Sequence, residues 1–177
     1  MDAGLYHLQG KAKSVNPTEL QDVLREFYLE RLALLMQHES AARSVSDYDV
    51  NNAYQNIIAR EETHVSWLQH ALLNVGLEIP ADPSRPDIKA TRKGNDAVLE
   101  LADSDGRSNQ QFVTRWRDRI ETVTNARHRG MLRVILGEML EHARLFEQAA
   151  GGRTDIIGTH LAINERRGTV MDRRWIE

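Results

Sequence analysis

Apolar residues recur along this chain at intervals of three, four and seven in four separate stretches, which is the period of an amphipathic helix. Leu20, Val23, Phe27, Leu34 and Ala41 make the first stripe, and Val50, Tyr54, Ile57, Leu68 and Val75 the second. Phe112, Trp116, Ile120 and Val123 make the third, and Leu132, Ile135, Met139, His142 and Phe146 the fourth. The period-two alternation of strands is nearly absent. The stripes predict helices over 18–43, 48–75, 107–124 and 126–150, and helices on this spacing read as an all-α bundle.

The punctuation between the stripes fixes how the helices connect. Ser46-Asp47 offers an N-cap for helix 2 and Gly76 a stop, so the short turn from Ser44 to Asp47 makes helices 1 and 2 antiparallel neighbours. A turn near Asn125 does the same for helices 3 and 4. Pro80, Pro83 and Pro86, interleaved with Asp82, Ser84 and Asp87, mark a connector that no helix can pass. The connection from Leu77 to Gly106 is about thirty residues, with a short helix of its own expected over Asn95 to Ala102. A link of that length can traverse the bundle and set helix 3 parallel to helix 2, giving a four-helix bundle with one long crossover between helices 2 and 3. The bundle is expected over 17–150, between an N-terminal extension (1–16) and a C-terminal one (151–177). Gly151-Gly152 ends helix 4, and the tail mixes Ile156, Ile157, Leu161 and Trp175 with arginines, as in a segment that docks on the domain or on a partner.

Composition narrows the chemistry. The 177 residues, 41% hydrophobic and 28% charged, suit one globular domain, and a net charge of -3 argues against general nucleic-acid binding. The absence of cysteine excludes disulfides, thiolate zinc sites, iron–sulfur clusters and thiol nucleophiles. No apolar run is long enough for a membrane span, and the start Met1-Asp2-Ala3-Gly4 lacks the layout of a secretory signal, so a cytoplasmic address is expected.

Three polar residues fall in phase with the apolar stripes: Glu30 on helix 1, and Glu61 and His64 on helix 2. A buried carboxylate needs a partner, and a divalent metal is one. Residues three apart share a helix face, so Glu61-x-x-His64 can bring a carboxylate and an imidazole to one point. Glu30 lies 17 residues before Asp47 and His64 lies 17 after it, which places them at one height on antiparallel helices.

With Phe27-Tyr28-Leu29-Glu30 and Ala59-Arg60-Glu61-Glu62-Thr63-His64, the chain resembles the ferritin-like superfamily of di-iron carboxylate proteins, rubrerythrin-like members included. That pattern has one glutamate on each of two helices and Glu-x-x-His on each of the other two. His142 lies 17 residues after Asn125 and so corresponds to His64. The counterparts of Glu61 and of the fourth glutamate are then Met139 and Asn109, so the second half departs from the pattern. Glu138, four residues before His142, is the best replacement ligand. Glu121 is out of phase, and Asp105 can contribute only if helix 3 begins earlier than 107.

The expected metal set is therefore Glu30, Glu61, His64 and His142, with Glu138. Mixed carboxylate and imidazole ligation suits iron or manganese, and the resemblance implies oxidase, peroxidase or oxygenase chemistry. A different class stands beside this one: a metal-free or vestigial bundle acting as a homodimer or partner-binding module, with inward carboxylates held by arginine, in which the chain is rich. His38, His70 and His128 are expected at the surface.

Overall fold

The computed structural model describes residues 17–88, 90–153 and 155–158. Among them are four long helices, α1 (Pro17–Ala42), α2 (Tyr48–Asn74), α3 (Asn95–Glu121) and α4 (Ala126–Ala150), and no strand. No helix among the described residues is long and apolar enough to cross a membrane. The expectations for 1–16, and for the tail from 159 onward, fall outside the described residues. Ile156, in the described part of the C-terminal extension, packs against the core.

Three helices keep the limits read from periodicity to within a residue. The exception is α3, which begins at Asn95 and not at 107. Asp103, Ser104, Asp105 and Gly106 have the composition of a turn, yet they lie inside the helix. Asp105 is buried there, and a Cβ on Gly106 would stand 3.4 Å from Phe146 Cβ and 3.6 Å from the Ala143 carbonyl oxygen of α4. Glycine serves close approach at this position and does not reverse the chain. The expected short helix over Asn95–Ala102 is the start of α3, and the connector shrinks to 75–94.

The helix ends are closed as the sequence signals require. Asp47 caps α2 by accepting the Val50 N–H at 2.9 Å, and Asn125 caps α4 by accepting the His128 N–H at 3.1 Å. Gly76 takes a φ of 78°, which lets the Leu77 N–H reach back to the Leu72 carbonyl at 3.0 Å.

α1 packs on α2 and α3, and α4 packs on α3 and α2. Along the α1–α2 seam, Gln21 donates to the Val75 carbonyl at 2.8 Å and Asn51 to the Ala42 carbonyl at 2.8 Å, so these helices are antiparallel. Glu26 with Arg119, Glu30 with Trp116 and Gln37 with Asp105 run in opposite directions along α1 and α3. Towards one end the core is aromatic, with Phe27 edge-on to Phe112 and Trp116 at 5.0 and 4.9 Å between centroids. Towards the other, Phe146 meets Tyr54 and His38, each at 4.9 Å. A polar layer lies between them.

Helix α1 has a wider buried arc than its apolar stripe suggests. Val23, Phe27 and Ala41 are buried, as the stripe requires, but so is a second line one residue on: Leu24, Tyr28, Arg31, Leu35 and His38. The second line faces the polar layer, whereas Phe27 and Glu30 face α3.

Candidate functional site

Glu61 is the centre of the polar layer. It contacts Arg31 and His38, which lie seven residues, about two turns, apart on α1. Arg31 Nη2 stands 2.7 Å from Glu61 Oε1, with both side chains at 0% exposure. This is an ion-pair contact, and none of the three guanidinium nitrogens has a hydrogen-bond partner among the described residues. His38 donates from Nδ1 to Glu61 Oε2 at 2.8 Å, and His142 of α4 donates from Nδ1 to Oε1 at 3.3 Å. An ionised carboxylate only accepts, which places a proton on Nδ1 of both rings. Neither Nε2 has a partner among the described residues.

The electrostatics follow from these contacts. Burial pushes the Glu61 carboxyl up, but the charges of Arg31 and His38 and the hydrogen bonds from His142 and His38 outweigh it and hold the group well below the usual carboxylate range. Glu61 is therefore ionised at neutral pH.

His64, one turn further along α2, is buried and donates from Nε2 to Glu138 Oε2 at 3.0 Å. Arg60 Nε donates to the same oxygen at 3.1 Å, where Glu138 reaches solvent. Trp67 flanks the His64 ring at 5.6 Å, and His142 stacks beside it at 6.3 Å between centroids. Burial, reinforced by the Arg31 charge, lowers the His64 pKa to about 4 against the opposing pull of Glu138. His64 is neutral at pH 7, and its Nδ1 also lacks a partner among the described residues.

Of the expected ligands, the fold brings Glu61 to His142 and Glu138 to His64, but not Glu30 to either pair. Glu30 is about a quarter exposed and accepts from Trp116 Nε1 at 2.9 Å and from Arg115 at 2.9 Å. One residue is about 100° of helix rotation, and that angle turns Glu30 onto the α3 seam and Arg31 inward. His38, expected at the surface, is fully buried for the same reason. Its signal was present in the sequence: His38 lies three residues after Leu35 and four before Ala42, both apolar.

Asn109 and Met139 do face inward, both at 0% exposure, and the Asn109 amide makes no hydrogen bond among the described residues. Because α3 begins early, Asp105 is inward too, accepting from Tyr54 Oη at 2.6 Å and Gln37 Nε2 at 2.7 Å. Burial and the Asp105 charge push the Tyr54 hydroxyl well above its usual range. Glu121 pairs with Arg133 at the surface.

As arranged, this donor set does not fit a divalent ion. The Arg31 guanidinium, charged at any physiological pH, lies against the oxygen that an ion would need. Two unit charges of like sign 4 Å apart repel by about 4 kcal/mol at an effective dielectric of 20, and a divalent ion doubles that. Among the described residues no three His, Asp or Glu side chains are grouped as a metal shell. No protein-family model matches the chain, and no curated protein or solved structure matches it either.

Proposed function

We propose that this protein is a metal-independent helical bundle, with an internal ion-pair network for a polar centre, and that it acts through its surface as a homodimeric or partner-binding module. The observation that carries the reading is the Arg31–Glu61 contact of 2.7 Å at 0% exposure: a fixed cation already neutralises the Glu61 carboxylate in the core. The resemblance to the ferritin-like superfamily then concerns the bundle and the Glu61-x-x-His64 half of the motif, with the chemistry given up. Among the described residues, Tyr48, Leu73 and Val134 are the most exposed large apolar side chains and the first places to seek the interaction surface. The lack of cysteine supports a cytoplasmic address.

A second reading is favoured by a different observation: His38 Nε2, His142 Nε2 and His64 Nδ1 are buried ring nitrogens without partners among the described residues. In that reading Arg31 swings away, and iron or manganese sits by Glu61, His64, His142 and Glu138 in a redox protein of oxidase, peroxidase or oxygenase type. One experiment separates the two. Protein purified without chelator is assayed for metal, and its melting temperature is taken with and without EDTA. The metal-independent bundle contains far less than one ion per chain and melts at the same temperature in both. A stoichiometric metal, with a melting temperature that falls on chelation and in His142→Ala, selects the redox reading.

A further inference from the structure

Among the described residues, α2 and α4 leave one side of their seam uncovered. Tyr54 faces Phe146, Glu61 faces His142 and His64 faces Glu138, so the two helices run in opposite directions. One turn beyond His64 and Glu138, Trp67 on α2 comes level with Val134 on α4, and both are exposed, at 41% and 51%. We propose that this face, centred on Val134 and Trp67, is where a second copy of the chain docks, with the two α4 helices antiparallel about a two-fold axis at Val134. The inference deepens the metal-independent, surface-acting reading above and rests on it. The charges of α4 select a second copy over an unlike partner. Arg127 and Glu141 are both exposed and lie seven residues to either side of Val134, about two turns away on the same face. A two-fold axis at Val134 therefore sets the Arg127 of each copy against the Glu141 of the other. Gly130 and Gly137, also exposed, bare the backbone of α4 on either side of Val134. A Cβ on either would meet nothing within 4 Å, so no contact among the described residues calls for glycine there, whereas a second helix can approach closely. The area also suffices: α2 and α4 abreast, α4 being 25 residues long, present a strip of about 20 by 37 Å, near the ~800 Å² per partner of an ordinary stable interface. A half-exposed tryptophan is the kind of side chain that anchors one.

Sedimentation velocity of the full-length chain over a range of concentrations reads the mass, with circular dichroism on every sample to follow the fold. The unaltered chain is expected to form a dimer. Val134→Lys, which sets two like charges against each other at the axis, and Trp67→Ala should each raise the dissociation constant at least about tenfold. Arg127→Glu and Glu141→Arg should each weaken the dimer, because each places like charges opposite one another. The double variant Arg127→Glu/Glu141→Arg should restore it, since the reversed charges again face their opposites. Arg127, Glu141 and Val134 are exposed in the single chain, so their variants keep the fold, and the double charge reversal carries the test even where Trp67→Ala disturbs the neighbouring His64. A chain that stays monomeric, a dimer that none of these changes weakens, or a double reversal no tighter than the single ones overturns the inference. Metal content is read on the same samples: bound metal counts against the metal-independent reading, and its absence beside any of those results leaves that reading standing.

Discussion

Glu61 has lost contact with water and remains ionised because Arg31, His38 and His142 replace its solvation shell. Removing one partner of such a pair strands the other charge, which typically costs about 3–5 kcal/mol, whereas removing both charges together costs much less. Arg31→Met is therefore expected to lower the unfolding free energy by about 3–5 kcal/mol. Arg31→Met combined with Glu61→Gln should recover most of that loss, since the glutamine oxygen still accepts from an imidazole. Urea unfolding of the two singles and the double gives the coupling, and strictly additive losses would falsify the ion pair. At this scale the sequence was half legible. Glu61, His64, His142, Asn109 and Met139 lie inward as their phases require, because each sits near the middle of its helix's buried arc. Arg31 and His38 were missed because a stripe read from apolar residues alone is blind to polar residues on the same arc. On α1 that arc is wide enough to admit two lines, of which the apolar one runs through Glu30.

At the scale of the helix, α3 shows where composition misleads. A glycine beside two aspartates and a serine has the look of a loop, and local propensity cannot tell that Phe146 waits on the other side. The bundle, the cap at Asp47, the turn near Asn125 and three of the four helices could be read from the sequence, because those signals are local. Whether a glycine serves a turn or a close approach depends on another helix. Glycines elsewhere then separate by the same criterion. Gly130 and Gly137 of α4 are exposed, and a Cβ on either meets nothing within 4 Å. Gly137→Ala should therefore raise stability by about 1 kcal/mol through helix propensity alone, and Gly130→Ala by a similar amount. Gly106→Val, whose branches must enter the Phe146 contact, should lower stability by about 1–3 kcal/mol. Thermal or urea unfolding of the three variants checks the contrast, and stabilisation by Gly106→Val would mean that α3 and α4 are not in close contact there.

For the whole molecule, the polar layer makes stability a function of pH, and the sign follows from which state holds the proton. His64 has its pKa lowered from 6.5 to about 4 in the folded chain, where it faces Arg31, Glu138, His142 and Glu61. Between those two values the unfolded chain takes up a proton at this ring and the folded chain does not, so acidification draws the equilibrium toward unfolding. Glu61, held well below the carboxylate range, acts in the same direction at lower pH: the unfolded chain protonates it near 4.5 while the folded chain does not. Stability should thus be flat above about pH 7 with respect to these two groups and fall as pH drops from about 6.5 toward 4. The contribution of His64 to the slope approaches about 1.4 kcal/mol per pH unit at most, the value for one proton, and Glu61 adds to it below about 4.5. The measurement is urea unfolding at fixed temperature from pH 8 to pH 4, on the unaltered chain and on His64→Gln. Glutamine keeps a donor for Glu138 but cannot titrate, so the variant should lose much of the slope between about 6.5 and 4.5 and retain the fall that Glu61 adds below about 4.5. A chain that grows more stable as pH drops from 7 to 5 would carry His64 protonated in the fold, paired with Glu138 as a salt bridge. The Arg31 charge would then be too distant to keep that ring neutral, and the compact charge balance around Glu61 would have to be redrawn.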